Sequence, residues 1–382
     1  MQWLFEASII CLFYLLRALP IKKNKIIITS YLGKGYGDNG KYIVEELLRR
    51  DKNYDIVWLA KDTSEEFPEG VRVVYYRSLR SIYELGTGKI WIDNRRKPLF
   101  VRKRKNQFYI MTWHGYMGIK KLEKDVQDKL EARYVKSAIR DSKMINAFIS
   151  GSRWETNCIR NAFWYDGTIL EVGYPRSDIL FDRSDEVTKK VKQHFNIEED
   201  TKIVMYAPTF RYTKDAESLS VYNLDWKRLI NELEHKFGGK WKGMIRLHPN
   251  VSMFADKLNL PDNVLNVTNY SDMQELIKCC DCMISDYSST IMDAGIAGKL
   301  GFIYASDYDD YSKDRDVYFD IKHDFPFPFA ETTEELIYNI ECIDDNYYKK
   351  LEDFFVERYG VFKEGNASAK VCNLIDKEIN RI

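Results

Sequence analysis

Two histidines stand where an α/β protein places catalytic groups. His114, in MTWHGYMG, comes just after the predicted strand Phe108–Thr112, and His248, in RLHPN, comes just after the predicted strand Gly243–Leu247. The carboxyl ends of parallel strands border the ligand crevice of such sheets. An imidazole near neutral pH is suited to accept a proton. A lone histidine at a strand end is commonly structural, whereas two of them beside a phosphate-binding loop favour a catalytic role.

That phosphate-binding loop is predicted within residues 280–305, CDCMISDYSSTIMDAGIAGKLGFIYA. The pattern predicts a strand, a polar turn, a helix that ends at Gly298, and a further strand. A helix that begins at the carboxyl end of a parallel strand directs its free backbone N–H groups toward the crevice. The hydroxyls of Ser288, Ser289 and Thr290 are able to cap that helix and to bind a phosphate. The alternative interpretation is an ordinary capped connection.

A glycine-rich loop suggests a different ligand. Gly35, Gly37 and Gly40 form the GxGxxG pattern after the first predicted strand, and Asp62 ends the second. This is the dinucleotide-binding fingerprint in its usual context. The turn before it is too long, however, and Asp38 would place a negative charge beside the pyrophosphate. We therefore prefer a flexible loop that lines a cleft between two domains.

Metal chemistry has one candidate motif. Asp307-x-Asp309 resembles the metal-binding DxD of single-domain glycosyltransferases, but it follows the last strands of the second domain. The sequence contains no GxSxG elbow, no P-loop and no His/Cys cluster with ligand spacing. We expect no metal and no other cofactor.

Composition narrows the class of protein. The 382 residues suit two domains, and 58 basic residues balance 58 acidic ones, which argues against a nucleic-acid partner. Seven cysteines, three of them clustered at an apolar helix–strand junction (Cys279, Cys280 and Cys282), fit buried thiols in a reducing compartment. The sequence leaves a homo-oligomer open.

The N-terminal segment is predicted to lie on a membrane. Ala7–Leu19 is almost entirely apolar, but Glu6 and Arg17 bracket it too closely for a spanning helix. We expect residues 1–25 to form a helix in the membrane interface. A basic run is expected to strengthen binding to anionic lipid: Arg95, Arg96, Lys97, Arg102, Lys103, Arg104 and Lys105. The alternative is a helix packed on the protein's own core and a solvated loop.

Alternating strands and helices predict two parallel-sheet α/β domains. The predicted strands of the first are Ile26–Ser30, Asp55–Ala60, Val71–Tyr76, Lys89–Ile92, Phe108–Thr112, Asn146–Ser150 and Thr168–Val172. Those of the second are Lys202–Tyr206, Gly243–Leu247, Val264–Val267, Cys282–Ser285 and Leu300–Tyr304. One helix is predicted over Leu122–Asp141. The expected domains are residues 26–185 and 186–345, and residues 346–382 are expected to pack back toward the first domain.

An ordered set of motifs resembles a known family. WHG at residues 113–115, GYPRSD at 173–178, YAPTFR at 206–211, RLHP at 246–249, SDYSS at 285–289 and DR at 314–315 occur in that order, and EGNAS follows at 364–368. The set resembles the CDP-glycerol glycerophosphotransferase family of teichoic acid and capsule synthesis. The resemblance implies two Rossmann-like domains facing a cleft, the GT-B arrangement, and peripheral association with the cytoplasmic face of the bacterial membrane.

The resemblance also implies a reaction and its residues. A hydroxyl of a polyprenyl-diphosphate-linked acceptor attacks the β-phosphorus of CDP-glycerol and releases CMP. His114 matches the general base, and His248 the second histidine, which contacts the phosphates. Arg211 and Arg315 would neutralise the diphosphate, and the loop from Ser285 to Ser289 would cradle it. The implied substrate-binding residues are Gly115, Thr209, Arg211, Ser285, Asp286, Ser288, Ser289 and Arg315.

Several alternatives stay open at this stage. The single catalytic module favours a primase-like or capsule enzyme, whereas Asp38-Asn39 looks more like a polymerase module. Ribitol-phosphate transferases share the motifs. A GT-B glycosyltransferase that uses a nucleotide sugar would share the fold, and a non-catalytic membrane scaffold is the least favoured alternative.

Overall fold

The chain forms two compact units, each built on a parallel sheet. The computed structural model describes residues 2–209, 211, 224–247, 258, 260–309 and 316–381. The first unit consists of Met1–His114, Leu122–Asp178 and Phe362–Ile382, and the second of Gly115–Lys121 and Ile179–Val361. The predicted class, two parallel-sheet α/β domains, is confirmed.

The first sheet has seven parallel strands in the order β3-β2-β1-β4-β5-β6-β7. These are β1 Lys22–Thr29, β2 Asp55–Ala60, β3 Val71–Tyr75, β4 Gly88–Asp93, β5 Phe108–Met111, β6 Ala147–Ser150 and β7 Thr168–Glu171. Apolar strand residues such as Ile26, Trp58, Trp91 and Phe148 are fully buried, as expected where helices cover both faces. The strand order reverses between β1 and β4, and a crevice at such a reversal is where α/β sheets bind ligands.

The second sheet has six parallel strands in the order β10-β9-β8-β11-β12-β13. These are β8 Lys202–Ala207, β9 Trp241–Ile245, β10 Val264–Asn266, β11 Cys282–Ser285, β12 Leu300–Tyr304 and β13 Phe329–Ala330. Here the order reverses between β8 and β11. The two-residue edge strand β13 was not predicted, because its segment, FPFPFA, is rich in proline.

Helices connect the strands. Those described are α1 Gln2–Leu15, α2 Asp38–Arg49, α3 Leu79–Thr87, α4 Ala132–Ser142, α5 Arg153–Ala162, α6 Asp178–Phe181, α7 Glu186–His194, α8 Trp226–Phe237, α9 Met273–Cys279, α10 Thr290–Ile296, α11 Thr333–Glu341, α12 Asn346–Glu352 and α13 Ala367–Ile379. The predicted continuous helix Leu122–Asp141 is wrong. A 3-10 helix, Glu123–Lys129, is separated from α4 by extended Leu130, and buried Glu123 is held instead by an ion pair with Arg96.

The C-terminal helix α13 belongs to the first unit. Arg50, at the end of α2, donates to Asp376 on α13 over 2.8 Å. The carboxylate of Asp178 accepts from the backbone N–H groups of Ala367 and Ser368 at 2.9 and 2.8 Å, which caps the helix. The GYPRSD and EGNAS motifs therefore meet in space, and their shared role here is to fasten the returning chain.

The N-terminal helix α1 has one packed side and one bare side. Ile9 and Phe13 are buried, and a Cβ added at Gly86 would lie only 2.8 Å from the side chain of Leu16, so the end of this segment packs on α3. Trp3 and Phe5 are 76% and 62% exposed, and Leu4, Tyr14 and Leu15 are exposed with them. Within the described part of the chain, no helix combines the length and apolar character needed to cross a bilayer.

The cysteines only partly follow the expectation of buried thiols. All seven are free, and Cys279, Cys280 and Cys282 are buried at the predicted helix–strand junction. Burial raises the pKa of Cys280 to about 12, so this thiol stays protonated and unreactive. Cys11 and Cys342 are exposed, which corrects the expectation for these two positions.

Candidate functional site

The loops that follow β1, β4 and β5 converge around His114 in the first unit. These three strands are neighbours in the sheet, and β1 and β4 flank the reversal of strand order. Their carboxyl ends carry Tyr31, Asn94 and His114. The ring of Tyr31 lies edge-on to His114 with 6.0 Å between the centroids, and the Tyr31 N–H donates to the Asn94 side chain over 2.7 Å. Residues from three separate segments therefore form one site.

His114 is held in a defined orientation. Its Nδ1 lies 2.9 Å from the backbone carbonyl oxygen of Asn94. Because a carbonyl only accepts, Nδ1 carries the proton in the neutral ring, and Nε2 presents its lone pair. Burial and the charge of Arg95 lower the pKa of His114 to about 3, although one edge of the ring stays accessible. The imidazole is therefore neutral at physiological pH and has the form that a general base requires.

A buried polar network positions the segment around His114. Asp38 forms an ion pair with Arg176 at 3.0 Å and accepts a hydrogen bond from the side chain of Asn94. Asn39 donates to the carbonyl oxygen of Trp113 over 3.1 Å and accepts from the Arg176 N–H over 3.1 Å. Burial raises the pKa of Asp38 despite the opposing charge of Arg176. The network connects both sides of the loop that carries His114.

The glycine-rich loop is part of this network, in contrast to the flexible loop that we expected. A Cβ at Gly40 would lie 2.9 Å from Ser30 Oγ and from the Trp58 ring, so this glycine permits close packing of α2 on the sheet. The Asp38 carboxylate occupies the start of α2, where a dinucleotide would place its pyrophosphate. Asp62 binds Ser64 of its own loop at 2.6 Å. These contacts give the glycine-rich loop a structural role and argue against a dinucleotide-binding site.

Gly115 follows His114 directly and begins a short excursion of the chain into the second unit. Its φ of 148° lies in the region that favours glycine, while Trp113 on the other side of His114 has a φ of 55°. A side chain at position 115 would strain this turn. The glycine predicted to admit substrate is thus also required by the backbone conformation.

In the second unit, Asp286 joins the loops that follow β8 and β11. Its Oδ1 accepts from the Thr209 N–H at 2.7 Å and from the Tyr287 N–H at 2.6 Å. Ser285 donates its hydroxyl hydrogen to the carbonyl oxygen of Ala207 over 2.7 Å. Both side chains are buried. Ser285 and Asp286 were predicted to bind substrate, but in this structure their polar groups hold two strand ends together.

Arg211 is enclosed by carboxylates. Its Nε and Nη2 donate to the two oxygens of Asp307 at 2.6 and 2.9 Å, and Nη2 also donates to Asp286 at 2.8 Å. Nη1 donates to the Thr209 carbonyl oxygen over 2.8 Å, and the guanidinium lies 4.9 Å from the centroid of the Tyr287 ring. The two carboxylates raise the pKa of Arg211 and outweigh the effect of burial. A guanidinium has five N–H donors, and most of these are used within the protein.

Three hydroxyl groups remain accessible at the start of α10. Ser288, Ser289 and Thr290 are half-buried, and the Ser288 Oγ accepts from the Thr290 hydroxyl over 3.0 Å. Ser288 also accepts from the Thr290 N–H at 3.4 Å, whereas Ser289 makes no capping hydrogen bond within the described residues. These groups form the accessible part of the predicted donor loop, whereas the side-chain oxygen of Thr209 is buried. His248 and Arg315 lie outside the described residues.

Sequence reasoning missed several members of both sites. In the first unit these are Tyr31, Asp38, Asn94, Arg95 and Arg176, and in the second Tyr287 and Asp307. Asn94 and Arg95 directly follow β4, so knowledge of the strand order would have identified them. Asp307 was considered only as a metal ligand, but it is engaged by Arg211 and by the Tyr287 hydroxyl at 3.0 Å. Among the described residues, no group of three or more His, Cys, Asp or Glu is arranged to hold a metal ion.

The basic run at residues 95–105 differs from the lipid-binding run that we expected. Arg96 is buried and pairs with Glu123 and Asp141 at 3.0 and 3.3 Å. Lys97 is buried and pairs with Asp93 at 2.6 Å. Arg104 donates to the carbonyl oxygen of Leu19 over 2.7 Å and so supports the end of the N-terminal segment. The charges of Arg96 and Lys97 are therefore internal, and the expectation of a seven-residue lipid-binding run is wrong for these two residues.

Comparison with known proteins identifies one family. Residues 11–377 match the family described as CDP-glycerol:poly(glycerophosphate) glycerophosphotransferase. A teichoic acid poly(glycerol phosphate) polymerase of Staphylococcus epidermidis is 31% identical over 94% of this chain and 51% of its own length. A teichoic acid glycerol-phosphate transferase of Staphylococcus aureus is 31% identical over 98% of both chains. The chain thus spans about half the length of the first relative and nearly all of the second.

A solved structure supports the same grouping. A variant of the wall teichoic acid polymerase TagF, soaked with CDPG, superposes on this chain with a TM-score of 0.85. The two sequences are 30% identical, and the match covers 98% of this chain and 94% of the other.

Proposed function

The chain belongs to the CDP-glycerol:poly(glycerophosphate) glycerophosphotransferase family, and from this premise we propose its reaction. The enzyme transfers glycerol phosphate from CDP-glycerol to a hydroxyl of a lipid-linked glycan or poly(polyol phosphate), in teichoic acid or capsule synthesis. The observation that carries the proposal is His114, a neutral imidazole whose Nδ1 is bound to the carbonyl oxygen of Asn94 and whose ring lies beside the residues that follow β1 and β4, Tyr31 and Arg95. The first unit is accordingly the acceptor domain, and the second the donor domain.

The reaction needs one proton acceptor and a field of positive charge. The acceptor hydroxyl gives its proton to Nε2 of His114, and its oxygen attacks the β-phosphorus of CDP-glycerol. The bond from that phosphorus to the bridging oxygen breaks, CMP leaves, and a phosphodiester forms. Because Nδ1 stays bound to the Asn94 carbonyl oxygen, the imidazolium keeps its orientation while it holds the proton. Positioning and electrostatics supply most of the catalysis in such transfers.

We assign the donor diphosphate to the loop at the start of α10. Ser288, Ser289 and Thr290 present half-buried hydroxyl groups there. Arg211 contributes by holding Thr209 and Asp286 in place, and it reaches the diphosphate only if it leaves Asp307. Family resemblance adds His248 and Arg315, which lie outside the described residues. Ser289→Ala should weaken CDP-glycerol binding more than acceptor binding, and unchanged donor affinity in calorimetry would remove this loop from the donor site.

The bare side of α1 supports a peripheral position at the cytoplasmic face of the bacterial membrane. Trp3, Leu4, Phe5, Tyr14 and Leu15 expose large apolar side chains, and Arg17 lies 4.3 Å from the centroid of the Tyr14 ring. Trp and Tyr favour the interface of a bilayer, and an apolar helix face buries itself at the headgroup boundary. Such an anchor would keep a polyprenyl-diphosphate-linked acceptor close to His114.

A donor screen tests the proposal. Purified enzyme is given a synthetic lipid-linked acceptor and, in separate reactions, CDP-glycerol, CDP-ribitol or a panel of nucleotide sugars. We expect CMP release and phosphodiester formation with CDP-glycerol. Efficient turnover of CDP-ribitol alone would assign a ribitol-phosphate transferase, and sugar transfer with release of UDP or CMP would assign a GT-B glycosyltransferase. No turnover of any donor would support the non-catalytic scaffold.

A further inference from the structure

Arg95 is a cation beside the catalytic base. Its Nη1 donates to Nε2 of His114 over 3.3 Å, so Arg95 has to release this nitrogen before it takes the acceptor proton. Its backbone N–H donates to Asp93 over 3.0 Å, which fixes the start of the side chain, while the side chain itself is exposed. The guanidinium is thus placed at the position where an acceptor hydroxyl must arrive.

The neighbouring cations are neutralised by carboxylates, whereas Arg95 is not. Arg176 pairs with Asp38, Arg96 with Glu123 and Asp141, and Lys97 with Asp93. In the part of the chain that the structure describes, no carboxylate forms an ion pair with Arg95. One positive charge therefore remains available at the accessible edge of His114.

The backbone around this edge is strained. Tyr31, Asp38 and Trp113 have φ values of 46°, 55° and 55°, which residues with a side chain rarely adopt. Tyr31 and Trp113 lie in the loops after β1 and β5, with their rings beside His114, and Asp38 begins α2. Strain of this kind persists where the surrounding contacts impose it, and it is concentrated at ligand-binding sites. The loop geometry therefore indicates that this edge is built to receive a ligand.

The geometry points to a specificity role for Arg95: it binds the phosphate of a polyol phosphate unit at the end of the acceptor while His114 takes the proton from the hydroxyl of that same unit. A guanidinium suits this task because two parallel N–H donors match two phosphate oxygens. In a terminal glycerol phosphate, phosphate and hydroxyl are attached to one three-carbon unit, so they can reach adjacent groups. The inference rests on the proposed function and specifies its acceptor as a chain whose last unit is a polyol phosphate with a free hydroxyl.

Two acceptors and three variants test the inference. The acceptors are a lipid-diphosphate glycan that ends in glycerol phosphate and the same lipid glycan without that unit. The variants are Arg95→Gln, Arg95→Lys and the control Arg160→Gln, an exposed arginine on α5 of the same unit. Rates of CMP release give kcat and KM for each acceptor and for CDP-glycerol, and a melting curve checks that each variant is folded.

The wild type should prefer the phosphate-terminated acceptor. Arg95→Gln should raise the KM for that acceptor about 10–100-fold, the range expected for a lost charge-assisted contact. The KM values for the other acceptor and for CDP-glycerol should stay nearly unchanged. Arg95→Lys should recover part of the loss, and Arg160→Gln should match the wild type. Because the charge of Arg95 lowers the pKa of His114, Arg95→Gln should also move the acid limb of kcat/KM to higher pH.

Other outcomes overturn the inference. An equal loss with both acceptors, a change in donor KM alone, or no change would each show that Arg95 does not select a terminal phosphate. A wild-type enzyme that prefers the lipid glycan without the glycerol phosphate unit would also contradict the inference. A wild type that releases no CMP with either acceptor would instead contradict the proposed function itself.

Discussion

Replacing Arg211 with alanine should lower the stability of the second unit, and we expect this effect to outweigh any direct effect on donor binding. The side chains of Arg211, Asp286 and Asp307 are only 14%, 1% and 21% exposed. Breaking a buried ion pair by removing one partner costs about 3–5 kcal/mol, because a buried charge remains without compensation. Here Asp286 keeps two backbone donors and Asp307 is partly hydrated, so we expect about 2–4 kcal/mol in the free energy of unfolding.

Scanning calorimetry measures the effect directly. For a domain of this size, 1 kcal/mol moves Tm by about 2–4 °C, so the melting of the second unit should fall by roughly 5–15 °C. Arg211→Ala, Asp307→Asn and the double variant form a cycle. If the two side chains interact as the 2.6 Å contact indicates, the double variant should lose less than the sum of the single losses, by about 0.5–3 kcal/mol.

The chain offers a matched control and a pH test. Arg228 and Glu334 form a 2.7 Å pair in the same unit but are both exposed, so Arg228→Ala should melt close to the wild type. Burial alone would raise the pKa of Asp307, but its bonds to Arg211 lower it below 3.8. A carboxylate whose pKa is lowered by folding stabilises the folded state at any pH above its unfolded pKa. The advantage of the wild type over Arg211→Ala should therefore shrink as the pH falls below the unfolded pKa of Asp307 and through its lower folded pKa.

One result would refute the reasoning. If Arg211→Ala melts as the wild type does and only the KM for CDP-glycerol rises, then Arg211 binds the diphosphate itself, as the family resemblance implies. The ion pairs seen here would then be a resting arrangement that the donor displaces.

Four further outcomes are expected. His114→Ala should lower kcat by about 10²–10⁴-fold with an unchanged circular dichroism spectrum, and near-normal turnover with a correct acceptor would contradict its role as base. Because the pKa of His114 is lowered to about 3, kcat/KM should stay level from pH 8 to about pH 5, and a fall centred near 6.5 would argue against this environment. Activity should survive EDTA, whereas loss that Mn²⁺ or Mg²⁺ restores would bring back Asp307 and Asp309 as metal ligands. Replacing Trp3, Phe5 and Leu15 together with glutamine should reduce liposome flotation and activity on a lipid-linked acceptor, but not activity on a soluble acceptor. As a control, Leu79→Gln at another exposed apolar position should change neither flotation nor activity. Equal flotation of all variants would contradict a membrane role for α1.

The sequence by itself was enough to predict where most strands lie and which histidine follows β5. The predicted strands Asp55–Ala60, Cys282–Ser285 and Leu300–Tyr304 agree with the structure residue for residue. Hydrophobic runs of this kind are local features, and the alternation of strand and helix limits the fold to parallel sheets. His114 was found for the same reason, because a strand end is also a local feature.

The tertiary structure decided which groups meet. Arg211 and Asp307 are 96 residues apart, and Arg176 and Asp38 are 138 apart, yet each pair forms a close ion pair. Such partners depend on strand order, which brings the ends of β1, β4 and β5, or of β8, β11 and β12, side by side. Nothing in the local sequence distinguishes exposed Arg95 from buried Arg96.

The predictions from local composition were therefore wrong about which charged side chains are buried, rather than about where the strands lie. The run at residues 95–105 looked uniformly basic and was expected to bind lipid, but Glu123 and Asp141 come from distant segments to neutralise Arg96. Burying a charge is costly unless a partner arrives with it, and only the packed fold supplies that partner. The distinction between a paired cation and an available one, on which acceptor recognition is proposed to rest, therefore arises from the tertiary structure.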